Sequence, residues 1–316
     1  MRAPRTMTAW AKQYLDHRRK LGYRLRVEGQ QLLQFAGWAD HTNHRGVITT
    51  ELALRWATLP KDGAPLYWAR RLEVVRGLAR YQAIFDPATQ IPPNRLLGPA
   101  HRRTTPFIYC EQDIAQLLAA ARALTSATGL RPRTYSTLFG LLACTGVRIS
   151  EALRLQRDRV DLRQGLLIID QSKFCKRRLV PLHPSATLAL RRYARYRDRC
   201  HPIPQSDVFF ISERGRRLAY STVRTTFKGI RTSLGWQPAG GTRAPRIHDL
   251  RHTFVCRRIL LWVEQGTSVD QGMAALSTYL GHRKVTDTYW YLTGVPELLT
   301  LASRRFDHRI RRGGLP

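Results

Sequence analysis

The chain has few carboxylates for its size. Its 316 residues include 22 aspartates and glutamates against 53 lysines and arginines, which gives a formal net charge of +31 at pH 7. Most of this excess is arginine, whose guanidinium group stays ionised and binds phosphate oxygens in a bidentate manner. Because so large a charge of one sign opposes a compact fold unless something neutralises it, the composition predicts a large polyanion as partner. A solvated basic surface is the alternative.

Long apolar runs are also missing. A membrane-spanning helix needs roughly 20 consecutive apolar residues, and the most apolar stretches here, Thr137 to Cys144 and Ile259 to Val263, are much shorter. We therefore expect no membrane role. The basic beginning of the chain leads directly to Trp10 without an apolar signal core or a small-residue cleavage site, which predicts a cytoplasmic protein.

Cysteine is scarce and scattered. The five cysteines are odd in number and form no Cys-x-x-Cys pair, which favours reduced thiols and argues against a cysteine metal site. The hydrophobic content of 43% is nevertheless that of a folded protein, and the length allows two domains, each with its own core.

Residues 1–90 are predicted to form a small helical domain. Apolar stripes and their stops predict four helices: one through Trp10 and Tyr14 ending near Gly22, one through Leu32 and Phe35 ending before Asn43, one from about Thr50 to Leu59, and one from Pro65 to Asp86. Basic residues on the exposed positions make this domain a candidate DNA clamp, although a charged helix face is often only solvated. Residues 91–106, rich in Pro, Gly, Asn and basic residues, are expected to form a linker.

Residues 107–316 are predicted to form a mixed domain. Strand-like runs at Leu166 to Asp170 and Arg178 to Leu182 flank a basic hairpin tip, and Val208 to Ile211 is a further short strand. The expected helices are Glu111 to Leu124, Arg133 to Ala143, Arg148 to Leu155, Pro184 to about Arg199, Ser221 to Leu234 and Pro296 to Arg312. The predicted fold class is therefore mainly α with a small β-sheet (α+β).

Histidine, arginine and tyrosine recur at fixed intervals between residues 247 and 291. His248 and Arg251 are three residues apart, which places them on one face of a helix, and Tyr291 lies nine residues after the histidine of Leu280-Gly281-His282. Upstream, Thr145-Gly146-Val147-Arg148 sets an arginine at a turn leading into a helix, where backbone N–H groups already favour an anion.

These residue types suit attack on a phosphodiester. A tyrosine hydroxyl, with a free pKa of about 10, is a poor nucleophile near neutrality and needs positive charge and a proton acceptor. Arg148 and Arg251 are candidates to clamp the two non-bridging oxygens of one phosphate, and His282 to donate a further hydrogen bond. His248 is the candidate to take the proton from Tyr291. No metal or other cofactor is needed, because the cations supply the charge stabilisation of a divalent ion.

Lys173, at the hairpin tip, completes the set. The six positions together resemble the active site of the tyrosine recombinase (phage integrase) family: Arg148, Lys173, His248, Arg251, His282 and Tyr291. Lys173 is then the candidate acid that protonates the departing 5′ oxygen. The resemblance covers most of the chain and implies a helical core-binding (SAM-like) domain and a catalytic domain that form a C-shaped clamp on double-stranded DNA. It also implies a 3′-phosphotyrosyl intermediate, a Holliday junction and a homotetramer on paired sites, in which the last helix can pass to a neighbouring copy.

Two positions have local rivals. Tyr289 competes with Tyr291, and since residues two apart on a helix differ by roughly 200° about its axis, only one can face Arg251. The family's nucleophile commonly lies nine residues after the Leu-Gly-His histidine, which favours Tyr291. Lys176 competes with Lys173 in the same turn. The motif Ser-Lys-x-x-Lys-x-Arg-Leu-Val-Pro-Leu matches the family's hairpin, and this match favours Lys173.

A zinc helix is an alternative from another class, because His248 and His252 stand four residues apart. Asp249 replaces the glutamate of that motif, and Arg251 would place a cation beside the metal, so this alternative is disfavoured. His252 is instead expected to pack or to support its neighbour.

The sequence therefore predicts a site-specific DNA recombinase, an integrase or transposase of a mobile element, that works in the bacterial cytoplasm on the nucleoid. The sequence around Tyr291 is similar to that of recombinases carried by transposons, including those arranged as three adjacent recombinases. Companion recombinases are therefore possible partners. The alternatives are a type IB topoisomerase or telomere resolvase with the same chemistry, and a catalytically inactive DNA-binding protein.

Overall fold

The computed structural model describes residues 6–100, 105–170, 177–237, 243–282 and 284–293. Within these ranges the chain is mainly helical and carries one small sheet, which confirms the predicted α+β class. The chain divides into two compact units, Met1–Arg103 and Thr104–Pro316. The predicted helix from Pro296 to Arg312 lies outside the described residues.

Within residues 6–100 the first unit contains four helices: α1 (Met7–Lys20), α2 (Arg26–His41), α3 (Thr50–Thr58) and α4 (Pro65–Gln82). Their starts follow local chemistry. The Thr6 hydroxyl accepts a hydrogen bond from the Ala9 N–H (3.1 Å) and the Thr49 hydroxyl one from the Leu52 N–H (3.1 Å), so both cap a helix whose first N–H groups lack internal partners. Pro65 opens α4 at a position where a missing N–H is tolerated.

Apolar side chains from all four helices form the core of this unit. The Trp56 ring packs edge-to-face on Phe35 with ring centroids 5.3 Å apart. The Arg71 guanidinium lies 3.6 Å from the Trp56 ring centroid and donates a hydrogen bond to the Trp56 carbonyl. This arginine is buried, so part of the basic excess is structural rather than a solvated surface.

Asp40 of α2 fixes the start of α1. Its carboxylate oxygens accept hydrogen bonds from the backbone N–H groups of Met7 (2.8 Å) and Thr8 (3.0 Å), which have no partner within the helix. Burial alone would raise the pKa of Asp40, but the hydrogen bonds from Thr8 and Met7 lower it below its ordinary value. The anion is therefore the form that the fold favours.

Residues 91–100, which the composition assigns to a linker, pack against α4. Arg76 donates to the carbonyls of Pro92 (2.8 Å) and Pro93 (2.6 Å), and Arg70 donates to the carbonyl of Ala100 (3.1 Å). These bonds satisfy backbone carbonyls that have no strand or helix partner. This stretch is therefore held on the first unit.

Besides a short 3-10 helix (Arg157–Arg159), the second unit contains eight α-helices in the described part of the chain: α5 (Glu111–Arg122), α6 (Leu130–Thr145), α7 (Ile149–Ala152), α8 (Pro184–Cys200), α9 (Tyr220–Ser233), α10 (Ile247–Glu264), α11 (Val269–Leu280) and α12 (Thr286–Thr293). The helix expected from Arg148 to Leu155 is shorter, because after Ala152 the backbone turns away and the Leu155 carbonyl accepts a hydrogen bond from the Phe209 N–H. Among the described helices none is both long and apolar enough to cross a membrane.

Three antiparallel strands form the sheet in the order β1 (Val160–Asp161), β2 (Leu166–Asp170) and β3 (Arg177–Pro181). Leu167 stands opposite Val180, and both are buried, so one face of the predicted hairpin covers the core. The two-residue β1 is too short for a sequence pattern to reveal. The strand predicted at Val208 to Ile211 is wrong, because only isolated bridges form there, Val208 with Gln156 and Ile211 with Arg217.

Helix α6 lies at the centre of the unit and contacts α5, α8 and α10. Its Phe139 packs edge-to-face on Phe227 of α9, with ring centroids 5.7 Å apart. A second apolar cluster lies beneath α10, α11 and α12 and is formed by Val255, Cys256, Ile259, Met273, Leu276, Leu280 and Tyr291. Helix α12, which carries Tyr291, therefore packs on the core of its own unit.

Replacing Asp40 by alanine should lower the free energy of unfolding of the first unit by about 1 to 2 kcal/mol, because two N–H groups at the start of α1 lose their acceptor. Urea unfolding followed by tryptophan fluorescence measures this loss, since four of the seven tryptophans (Trp10, Trp38, Trp56, Trp68) lie in the first unit. The exposed Asp62→Ala is the matched control and should change stability by less than about 0.5 kcal/mol. Equal stability of the two variants would show that the Asp40 cap is dispensable.

Candidate active site

The start of α10 is fixed from several sides. The buried Asp249 accepts hydrogen bonds from the backbone N–H of Arg246 (2.8 Å) and from its guanidinium (2.8 Å), which fixes the residue before the first turn. The Tyr109 hydroxyl donates to the Arg246 carbonyl (2.9 Å), and the Tyr109 N–H donates to the Thr253 hydroxyl (3.0 Å). The first turn of α10, which carries His248 and Arg251, is therefore held in one orientation.

Arg251 is almost fully buried, with 3% of its surface exposed. It donates hydrogen bonds to the carbonyls of Gly146 (2.5 Å), at the end of α6, and Leu280 (2.8 Å), at the end of α11. Burial and the nearby charge of Arg148 lower the pKa of Arg251 to about 10, so it is still ionised at neutral pH. Gly146 has φ +62°, and a Cβ there would lie 2.6 Å from the Phe254 ring, so only glycine fits this close approach.

Arg148 follows two residues after this turn. Its guanidinium donates to the Gly281 carbonyl (3.1 Å) and to the Glu151 carboxylate (2.9 Å), while its backbone N–H donates to the other Glu151 oxygen (2.9 Å). The side chain remains 36% exposed. Arg148 is thus oriented by the protein and accessible to a ligand.

A third arginine, Arg178 of β3, joins the same cluster. It donates to both carboxylate oxygens of Glu151 (2.7 and 3.1 Å) and to the carbonyl of Tyr279 (2.8 Å). Burial alone would raise the pKa of Glu151, but the hydrogen bond and charge of Arg178, and then those of Arg148, lower it below its ordinary value. Glu151 is therefore an anion between two guanidiniums.

The three arginines bind three consecutive carbonyls at the end of α11. Arg178 binds that of Tyr279, Arg251 that of Leu280 and Arg148 that of Gly281. The last carbonyls of a helix have no partner within it and carry the negative end of the helix dipole. They therefore hold three cations together that would otherwise repel one another.

His282 comes directly after Gly281, whose φ of +65° turns the chain out of the helix. Its Nδ1 lies 2.7 Å from the Thr288 hydroxyl. Burial, and then the charges of Arg251 and Arg148, lower the pKa of His282 to about 4. The imidazole is therefore neutral at pH 7.

Tyr291 faces the arginines, and Tyr289 does not. Tyr291 is 4% exposed, and its ring is parallel to that of His282 at 6.5 Å. Burial raises the pKa of Tyr291 to about 12, against the lowering effect of Arg251. The Tyr289 hydroxyl donates instead to Asp270 at the start of α11 (3.2 Å), as the opposite helix faces require.

Of the two histidines of α10, His252 lies beside this tyrosine and His248 packs on His252. The His248 and His252 rings are perpendicular with centroids 4.8 Å apart, and the His252 ring lies 5.4 Å from that of Tyr291. Burial and the charge of Arg251 lower the pKa of His248, so it is a free base at neutral pH. The described residues contain no group of three or more His, Cys, Asp or Glu side chains that could hold a metal ion, so the zinc alternative lacks a third ligand there.

The structure thus brings together Arg148, His248, Arg251, His282 and Tyr291, five of the six residues singled out from the sequence. Lys173 and its rival Lys176 lie in 171–176, outside the described residues. Sequence reasoning missed Glu151, Arg178 and Thr288. The three-residue interval between Arg148 and Glu151 is a signal for the first, whereas the other two are identified only by their contacts.

The chain is similar to known proteins in sequence and in fold. Residues 109–295 match the phage integrase family. The "Putative integrase/recombinase y4rB" of Sinorhizobium fredii is 42% identical over 304 residues, which cover 94% of this chain and 96% of that protein. The tyrosine recombinase XerD of Pseudomonas putida is 32% identical over 294 residues, which cover 89% and 88%. The Tn1549 transposon integrase, solved in complex with transposon right end DNA, is similar with a TM-score of 0.69 at 14% identity, over 95% of this chain and 99% of that one.

Replacing Glu151 by glutamine should lower the free energy of unfolding by about 3 kcal/mol, because a buried arginine loses its counter-charge. Urea unfolding monitored by circular dichroism measures the change. The exposed Glu264→Gln serves as the control, with an expected change below about 0.5 kcal/mol. A Glu151→Gln protein as stable as the unmodified chain would mean that the helix carbonyls alone hold the arginines.

Proposed function

Since the chain belongs to the phage integrase family of site-specific recombinases, we propose that it cuts and rejoins double-stranded DNA through a covalent bond between Tyr291 and a 3′ phosphate. The observation that carries this proposal is the placement of the buried Tyr291, whose ring is parallel to that of His282 at 6.5 Å, at the end of α11 where Arg148 and Arg251 bind the carbonyls of Gly281 and Leu280. A buried phenol beside two guanidiniums is the arrangement that attack on a phosphate requires.

The phosphate binds between Arg148 and Arg251. Each guanidinium has five N–H groups and uses two of them on protein acceptors, a carbonyl and Glu151 for Arg148 and two carbonyls for Arg251. The others remain to bind the non-bridging oxygens and stabilise the charge of the pentacoordinate transition state. Because the protein acceptors already orient both side chains, little reorganisation is needed when the DNA arrives.

Proton transfers accompany the attack. The Tyr291 oxygen bonds to phosphorus as its proton passes to His248, whose lowered pKa keeps it a free base, and the bond from phosphorus to the 5′ oxygen breaks. Lys173 supplies the proton for the departing 5′ oxygen, and His282 donates a hydrogen bond to a non-bridging oxygen. Attack by a second 5′ hydroxyl reverses these steps and releases Tyr291, so the strand is rejoined without an external energy source.

The strongly basic composition and the family membership support four copies acting on two DNA sites through a Holliday junction. The net charge of +31 is that of a protein whose binding free energy comes largely from phosphate contacts. The names of the y4rB relative and of the Tn1549 integrase support integration or transposition of a mobile element as the task. The first helical unit would then bind the duplex beside the cleavage site, and the work would take place in the bacterial cytoplasm on the nucleoid.

Covalent trapping tests the nucleophile. Incubation with a pool of nicked duplexes of randomised core sequence should yield protein–DNA adducts that survive denaturing electrophoresis, and sequencing of the trapped DNA would identify the preferred site. Tyr291→Phe should lose the adduct completely, whereas Tyr289→Phe should retain most of it, because Tyr289 faces Asp270. An adduct that persists in Tyr291→Phe and disappears in Tyr289→Phe would reverse the assignment.

The rate of adduct formation should depend on pH through His248. Because its pKa is lowered and only the unprotonated ring accepts the proton of Tyr291, the rate should stay constant around neutrality and fall in acid with a midpoint below the ordinary value of about 6.5. A single-turnover pH–rate profile measures the midpoint, and His248→Gln should slow the reaction across the whole range. A midpoint at or above pH 7 would argue against this base.

A further inference from the structure

Thr288 is a buried polar residue that the reaction described above does not use. It lies on α12, is 0% exposed, and its hydroxyl is 2.7 Å from Nδ1 of His282. Its position is three residues before Tyr291, so both side chains lie on the face of α12 that packs on the site. The helix that carries the nucleophile thus also carries the partner of the histidine.

A neutral imidazole exists as two tautomers, and the bond at one nitrogen decides which is present. The low pKa of His282 keeps it neutral at pH 7, so its tautomer determines what Nε2, the nitrogen opposite the Thr288 contact, can do. With the hydrogen on Nδ1, Nε2 is only an acceptor and cannot bind a phosphate oxygen. With the hydrogen on Nε2, the ring donates to the anion.

We propose that Thr288 is a positioning residue that donates its hydroxyl hydrogen to Nδ1 of His282 and so keeps the hydrogen on Nε2, directed at the scissile phosphate. A hydroxyl can rotate to donate, and the 2.7 Å distance is that of a strong hydrogen bond. This inference rests on the proposed function, since it assigns the way His282 is prepared for that reaction.

One consequence concerns the order of events. Because Thr288 and Tyr291 are on the same short helix, α12 delivers the nucleophile and fixes the proton donor in one docking step. Loss of α12 from the site would therefore remove the partner of His282 together with Tyr291.

Substitution at Thr288 tests the role of the hydroxyl. Thr288→Val removes the donor at similar shape and should slow adduct formation on the nicked-duplex pool by about 10-fold, whereas Thr288→Ser keeps the hydroxyl and should restore the rate to within about 2-fold. The exposed Thr286→Val, on the same helix, is the control and should react like the unmodified chain. Equal rates for Thr288→Val and the unmodified chain, or an equal loss in Thr288→Ser, would overturn the proposal.

The tautomer itself can be measured without DNA. In protein labelled with ¹⁵N at histidine, with the His282 signals assigned by comparison with His282→Asn, the nitrogen shifts at pH 7 should show a protonated Nε2 and an unprotonated, hydrogen-bonded Nδ1. In Thr288→Val the two tautomers should mix. A protonated Nδ1 in the unmodified chain would overturn the proposal even if Thr288→Val does not fold.

These outcomes also separate the two levels of inference. If Tyr291→Phe abolishes the adduct but Thr288→Val does not slow its formation, the role of Thr288 is contradicted and the proposed reaction is not. If Tyr291→Phe still forms adducts, the proposed reaction is contradicted, whereas the measured tautomer of His282 still describes the structure.

Discussion

The site depends on three guanidiniums that bind the last three carbonyls of α11. Arg178, Arg251 and Arg148 come from a strand, a helix and a turn that are far apart in the chain, and like charges at close range would drive them apart. The partial negative charge of the helix end, together with the buried Glu151, offsets that repulsion. In the proposed function, the end of α11 therefore determines where the phosphate binds.

This constraint explains why glycine and histidine follow Leu280. The positive φ of Gly281 ends the helix while its carbonyls still point at the arginines, and it places His282 at the same anion site. The cations are oriented before DNA arrives, so binding energy is not needed to arrange them. In the proposed reaction the phosphate binds the guanidinium N–H groups that these carbonyls leave free.

Much of this arrangement could be predicted from the sequence because it depends on local patterns. Helix boundaries followed apolar periodicity and capping, and the opposite directions of Tyr289 and Tyr291 followed from the helical repeat. The contacts of Arg178 and Thr288 could not be predicted, because one pairs across 27 residues with Glu151 and the other depends on how α12 docks. The prediction of a strand at Val208 to Ile211 was wrong for the same reason, since tertiary contacts decide how this segment pairs. Domain roles and the choice of lysine stay predictions.

A crystal structure of the protein trapped on a nicked duplex tests the central claim most directly. The account predicts phosphorus bonded to the Tyr291 oxygen, with Arg148 and Arg251 each donating to a non-bridging oxygen while they keep their bonds to the Gly281 and Leu280 carbonyls. Guanidiniums that leave those carbonyls to reach the phosphate, or a phosphate attached to another tyrosine, would contradict it.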